Sequence, residues 1–343
     1  MNIVLYSPNF YPLTGGLENV VLDLALEFSE AGHAVTVITL TVSPVQKADF
    51  PFRILRRPGL LEQICQMRRA DLVVQFNVSL KGILPWLFSS RPLVVSHQTA
   101  NTADMRGRLK TWIANHIATL NIGCSQYMSN QFAQAVTIPN PYDHTVFQVT
   151  LPWEKRRRDL VFVGRLVTDK GADLLLNALV ELKKDLRTPT LTIVGTGPEE
   201  RDLQAKAIRL GLQDQVVFAG LKKGAELAGT INAHRIMVIP SVWEEPFGIV
   251  ALEGLACGCL VIGSKGGGLP EAIGELGMLF PNGDTAALIS CLSRVLEYPE
   301  QYRPDPISLD THLHRHRRTA VAKRYLDALI RVISEKNKCI FRP

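Results

Sequence analysis

The sequence predicts an α/β chain built of two doubly wound halves, and three observations carry that prediction. Short apolar runs alternate with amphipathic stretches along the whole 343 residues, the pattern of strand–helix units in a parallel sheet. Each half opens on a strand, a glycine-bearing loop and a helix: Ile3–Tyr6 with Gly15 and Gly16, then Leu160–Val163 with Gly164 and Gly171. Between the halves, residues 148–159 hold Pro152 and the run Lys155-Arg156-Arg157-Arg158, which reads as a linker with a solvated charge cluster.

In the first half, Leu17, Val20, Val21, Leu24, Ala25 and Phe28 recur at helical spacing, and Val35–Ile38 follows as a strand. Paired glycines such as Gly15 and Gly16 permit positive φ and close approach of the backbone to a phosphate. Further strands are expected at Asp71–Gln75, Leu93–Ser96 and Thr119–Gly123, and a helix capped by Ser125 over 125–134. His97 ends a strand, where a doubly wound sheet keeps its reactive groups.

In the second half, Leu174, Leu175, Ala178, Leu179 and Leu182 mark a helix, and Thr190–Val194 a strand ending in Gly195-Thr-Gly197. That pair lacks the third glycine of a dinucleotide fingerprint, so a nicotinamide cofactor is not indicated. Val216–Phe218 is a strand, with Gly220 and Leu221 just beyond it, and a helix is expected from about Gly224 to Ala233. The most informative stretch is 239–272, IPSVWEEPFGIVALEGLACGCLVIGSKGGGLPEA. Ile236–Ile239 is a strand stopped by Pro240 and Ser241, and Phe247 and Gly248 open a helix bearing Ile249, Leu252, Leu255 and Ala256. Glu245 therefore precedes a helix N-terminus, whose free N–H groups attract anions. Glu253 lies a little over two turns further on, so both carboxylates can border one cleft. Taken alone, the spacing favours a Glu245 that caps the helix and a Glu253 that faces water.

The string Glu245-Pro-Phe-Gly-Ile-Val-Ala-Leu-Glu253 resembles the E-x7-E motif of retaining GT-B glycosyltransferases of glycosyltransferase family 4 (glycosyl transferases group 1). Gly164-Arg165-Leu with Lys170-Gly171, Pro12 to Glu18, and Gly266-Gly-Gly-Leu-Pro-Glu271 resemble the same family's other elements. The resemblance implies two Rossmann-like domains facing a cleft, at 1–150 (acceptor side) and 151–308 (donor side), with 309–343 crossing back onto the first. It implies transfer of a sugar, with retention, from a nucleotide-sugar to a sugar or lipid-linked acceptor; UDP-glucose is the expected donor.

Under that resemblance Arg165 and Lys170 meet the diphosphate, Glu253 holds the ribose, and Glu245 with Pro246, Phe247, Gly248, Ile249 and Val250 holds the hexose and phosphates. His97 faces the donor sugar, and Gly15, Gly16, Gly195, Gly220 and Leu221 line the nucleotide. No Asp-x-Asp triplet occurs, so cations are expected to replace a metal. Two alternatives stay open: a nucleotide-sugar epimerase of the same fold, and a catalytically silent binding module.

Hydrophobic content of 46% with 20% charged residues describes a water-soluble domain protein. The six cysteines form no C-x-x-C pair, so no zinc or redox motif arises, and a reducing cytoplasmic compartment is expected. The chain starts directly on a strand, so no signal peptide is expected. Net charge +6 points to anionic partners. No nucleic-acid motif is present, and His312, His314 and His316 among arginines read as a solvated basic face. Residues 105–117, MRGRLKTWIANHI, place Met105, Leu109, Trp112, Ile113 and His116 on one helical side with Arg106, Arg108 and Lys110 around them. That suits peripheral contact with an anionic membrane, and equally a helix packed on its own sheet.

Overall fold

The structure is a computed structural model that describes residues 1–13, 15–42, 49–100 and 104–340, with side chains up to Lys336. The chain forms two compact units: Met1–Pro141 together with the chain from Arg317 on, and Tyr142–His316.

The first unit runs β1 (Asn2–Ser7), α1 (Gly16–Glu30), β2 (Ala34–Thr39), β3 (Arg53–Arg56), α2 (Leu60–Arg69), β4 (Leu72–Phe76), α3 (Leu80–Trp86), β5 (Leu93–His97), α4 (Met105–Ile117), β6 (Leu120–Gly123), α5 (Gln126–Ser129) and β7 (Ala135–Thr137). Its strands form one parallel sheet in the order β3-β2-β1-β4-β5-β6-β7. The central strands are apolar without alternation because helices cover both faces; Ile3, Val4, Leu5 and Tyr6 are all buried. Connections β3–β4, β4–β5 and β5–β6 step across the sheet in one direction and β1–β2 in the other. Right-handed crossovers therefore put α2, α3 and α4 on one face and α1 on the opposite one.

The second unit runs β8 (Arg158–Val163), α6 (Ala172–Lys184), β9 (Leu191–Val194), α7 (Glu200–Arg209), β10 (Val216–Phe218), α8 (Gly224–Asn232), β11 (His234–Ile239), α9 (Ile249–Ala256), β12 (Leu260–Ser264), α10 (Leu269–Ile273), β13 (Met278–Phe280), α11 (Thr285–Glu297) and α12 (Pro306–Arg315). Its parallel sheet is ordered β10-β9-β8-β11-β12-β13. The core joins Leu175 and Leu179 of α6 to Phe162, Ile193, Val238 and Ile262 beneath them. The last helix, α13 (Arg318–Ile340), belongs to the first unit. It packs on α1, with Arg318 3.5 Å from Asp23 and 3.8 Å from Glu27, while Tyr325 Oη lies 2.9 Å from Ser96 Oγ of β5.

Where the two units meet along the chain, the amide of Tyr142 donates to the carbonyl of His316 at 3.0 Å. Three sequence expectations are corrected. The expected helix over 125–134 stops at Ser129 after its Ser125 cap, because Phe132 leaves to stack on the His97 ring. Arg156 is not part of a solvated run. It is 1% exposed, and its guanidinium donates to the carbonyls of Leu151, His234 (2.9 Å) and Cys257 (2.5 Å), the last at the C-terminus of α9. His312 and His316 are likewise turned inward: His312 Nε2 lies 2.9 Å from the Ala272 carbonyl, and the His316 ring 5.8 Å from Phe247.

Candidate active site

In an open α/β sheet a ligand finds its crevice where the strand order reverses, at the carboxyl ends of the strands. In the second unit that point lies between β8 and β11, the strands that precede Arg165–Lys170 and Ser241–Val250. The two loops are locked together through their backbones. The amide of Val242 donates to the carbonyl of Asp169 at 2.9 Å. Gly171 adopts φ +67°, and a Cβ there would sit 1.9 Å from the Pro240 carbonyl oxygen, so only glycine lets the loops close.

Across this point Lys170 Nζ approaches Glu245 Oε1 to 2.5 Å, and Ser241 Oγ donates to the same oxygen at 2.6 Å. Lys170 also lies 5.4 Å from the centre of the Trp243 ring. Glu245 is therefore buried but neutralised, the condition under which a carboxylate can leave water. Its other oxygen, Oε2, takes no hydrogen bond from the described residues. Glu245 makes no side-chain cap on α9, so the helix-capping reading is excluded. Sequence reasoning assigned Lys170 and Glu245 to separate ligand groups and missed both their pairing and the parts of Ser241 and Trp243. Ser241, four residues ahead of the carboxylate, was visible only as a strand stop.

Helix α9 starts at Ile249 behind Gly248 (φ +99°), with no side-chain cap and no acidic residue in its first turn. Its first amides thus present partial positive charge with no carboxylate of their own to meet it. Phe247 is buried against His316, and Pro246 is buried beside it. Glu253 is half-buried on the second turn of the same helix. Arg165 is exposed, and its guanidinium pairs with no described residue.

The neighbouring loops follow strand order. Leu166 donates to Thr196 at 3.0 Å and Gly195 to Gly220 at 2.8 Å, linking the ends of β8, β9 and β10. Gly195, at φ +137°, would place a Cβ 1.8 Å from the Gly164 carbonyl oxygen, so it holds the β9 loop flush against the β8 loop. Leu221 is exposed beside Gly220. The structure thus brings Arg165, Lys170, Gly195, Gly220, Leu221, Glu245, Pro246, Phe247, Gly248, Ile249, Val250 and Glu253 to one edge of one sheet.

The first-unit residues come out differently. Gly15 is extended (φ −176°) and Gly16 begins α1, so neither uses a left-handed conformation. The Glu18 carboxylate reaches back to within 2.5 Å of where a Gly15 Cβ would stand, so this helix start already carries an anion. His97 is 2% exposed; its Nε2 lies 2.9 Å from Asn121 Oδ1, and its ring stacks on Phe132 with centroids 3.4 Å apart. Burial lowers its pKa to about 4, the Asn121 bond offsetting only part of the effect. His97 is a neutral, partnered core residue of the first unit; the strand-end position was legible, the Asn121 partner was not. Among the described residues no cluster of His, Cys, Asp and Glu could hold a metal ion, and no helix is long and apolar enough to cross a membrane.

The second unit is thus a doubly wound α/β unit with a cation–carboxylate pair at its switch point and an uncapped helix start beside it. Comparison with known proteins names the family: residues 157–298 match Glycosyl transferases group 1, and the chain belongs to it. A D-inositol 3-phosphate glycosyltransferase of Segniliparus rotundus is 31% identical over 322 residues, covering 76% of this chain and 72% of that one. A phosphatidyl-myo-inositol mannosyltransferase of Mycobacterium leprae is 25% identical over 333 residues, 86% of this chain and 87% of its own. Some matches are shorter: an uncharacterized glycosyltransferase of Methanocaldococcus jannaschii is 36% identical over 146 residues, 39% of this chain and 36% of its own. Among solved structures, Anabaena HepE in complex with UDP and glucose superposes with TM-score 0.82 at 20% identity, over 96% of this chain and 99% of that one. The two-domain GT-B, Rossmann-like α/β fold expected from the sequence is therefore the fold observed.

Proposed function

We propose that the chain is a retaining, metal-independent glycosyltransferase that moves a hexose from a nucleoside diphosphate sugar to a hydroxyl of a saccharide or lipid-linked saccharide. The observation that carries this reading is the Lys170–Glu245 pair at the β8/β11 switch point, with Arg165, which pairs with no described residue, five residues before Lys170. A leaving diphosphate gathers negative charge, and fixed cations and N–H dipoles that meet it lower the barrier. Arg165 offers a planar fork to phosphate oxygens, and Lys170 a mobile point charge. Lys170 rests on Glu245 in the free protein and turns to the diphosphate when donor binds, with the first amides of α9 as further donors. Glu245 Oε2 then accepts a hexose hydroxyl while Ser241 keeps the carboxylate oriented. Glu253, on the same helix, accepts from the ribose.

Metal independence rests on the missing Asp-x-Asp triplet, and retention on the family's E-x7-E pattern. UDP-glucose is favoured because the structurally similar HepE is described with UDP and glucose. A Mycolicibacterium smegmatis relative, 33% identical over 150 residues, is named as GDP-mannose-dependent, so a GDP-mannose arm belongs in every donor test. Incubation with UDP-glucose and a panel of saccharide and lipid-linked acceptors is expected to release UDP only when acceptor is present, with the product's anomeric configuration matching the donor's by NMR. Acceptor-independent loss of UDP would indicate epimerase-type elimination, and no turnover of any nucleotide-sugar a binding module.

A further inference from the structure

The first unit carries an apolar surface that the donor chemistry does not use. On α3, Leu80 (63% exposed), Leu84 (51%) and Leu87 (59%) recur every three to four residues, and Phe88 (52%) follows. They form one outward stripe while Gly82, Ile83 and Pro85 face the sheet. On α4, the next helix on the same sheet face, Met105 (84%), Leu109 (51%) and Trp112 (57%) are also exposed, and only Gly107 and Ala114 are buried. Packing on its own sheet therefore does not account for the apolar side of α4. Solvated monomers seldom keep so many large apolar side chains together without a partner.

The charge around this surface says what the partner is. Arg68 and Arg91 lie at the end of α3, where the Arg68 guanidinium donates to the Phe88 carbonyl at 2.8 Å and the Arg91 guanidinium to the Arg68 carbonyl at 2.8 Å. No carboxylate pairs with either among the described residues. On α4, Arg106, Arg108 and Lys110 are exposed and make no described ion pair. The acids on this face are Glu62 of α2 and Asp104, which caps α4 through the Gly107 amide. An apolar stripe rimmed by unneutralised cations is complementary to a bilayer with anionic headgroups: the leucines, Phe88 and Trp112 enter the acyl boundary while the cations meet phosphates.

We infer that the α3–α4 face of the first unit docks on an anionic membrane surface. This goes beyond the donor reading and does not depend on it. The test is co-sedimentation of the full chain with vesicles of phosphatidylcholine alone, or of equal parts phosphatidylcholine and phosphatidylglycerol, at low and high salt. Binding is expected on the anionic vesicles and is expected to weaken with salt. Arg106→Gln, Arg108→Gln and Lys110→Gln together should reduce it about a hundredfold, each basic group near an anionic surface contributing about a factor of five. Leu84→Ser with Leu87→Ser should reduce it independently. Both variants alter exposed side chains, and unchanged circular dichroism and thermal midpoint would show that they fold. Nucleotide affinity should be the same in all three proteins, which separates failure here from failure of the donor reading. Equal binding to neutral and anionic vesicles, no binding at low salt, or full binding by either folded variant would overturn the inference, the last two in favour of a protein partner for this face.

Discussion

Lys170 Nζ lies 2.5 Å from Glu245 Oε1 across the β8/β11 switch point, and Ser241 Oγ shares that oxygen. The contact joins two loops that are 75 residues apart in sequence. Under the proposed donor reading this contact is a stored cation: the charge that would meet a phosphate is held in place, and screened, until the ligand arrives.

Lys170→Ala should therefore affect both stability and turnover. Breaking a fully buried pair costs about 3–5 kcal/mol; with the Lys170 side chain 26% exposed, about 2 kcal/mol is expected in urea unfolding. Turnover should fall about 10²–10³-fold. The double change Lys170→Ala with Glu245→Gln should recover most of the stability and none of the turnover. Recovery of both would reduce the pair to a structural contact.

Glu253→Ala is expected to act on affinity. Losing a carboxylate's bonds to ribose hydroxyls corresponds to about a ten- to hundredfold higher Kd for the nucleotide. The rate at saturating donor should change far less. A drop in kcat at unchanged Kd would remove Glu253 from the ribose.

Gly171→Ala tests the loop closure. Holding alanine at φ +67° costs about 1–2 kcal/mol, before the collision of its Cβ with the Pro240 carbonyl is added. The variant should unfold at lower denaturant and bind nucleotide more weakly, because Lys170 and Glu245 lose their common frame. Wild-type stability with intact binding would mean that the two loops do not need each other.

Acid should weaken the fold through two buried histidines. Burial lowers His97 and His234 from 6.5 to about 4, opposed in each by a hydrogen bond, to Asn121 and to the Thr230 carbonyl. Each stays neutral in the folded chain while the unfolded chain takes up a proton below 6.5. The stability each contributes is complete above pH 6.5 and is lost as pH falls towards 4, about 3 kcal/mol per histidine. Denaturation midpoints measured from pH 7 to pH 4 should show this decline, and it should halve in His234→Gln. A flat profile across that window would place both rings in contact with water.

The β-α alternation and the 239–272 stretch were legible because buried parallel strands are nearly all apolar and glycine marks loops that must close. The E-x7-E spacing gave the positions of Glu245 and Glu253, but spacing along one helix cannot report a partner 75 residues away, so the Lys170 pairing stayed hidden. Arg156 misled for a related reason. Within a run of four basic residues nothing local distinguishes the one whose guanidinium is caged by the Leu151, His234 and Cys257 carbonyls. For His97 the strand-end position was legible, but it suits both an exposed reactive group and a core residue, and the Asn121 partner on the next strand could not be read from it.

The central claim is that Arg165 and Lys170 of the second unit receive a nucleotide's diphosphate without a metal. Calorimetric titration of UDP into the wild-type chain, Arg165→Ala and Lys170→Ala, each in EDTA, tests it most directly. Binding by the wild type in EDTA, equal to that with Mg²⁺ present, and weakening in both variants are the expected results. Dependence of wild-type binding on Mg²⁺, or UDP affinity unchanged in both variants, would contradict it.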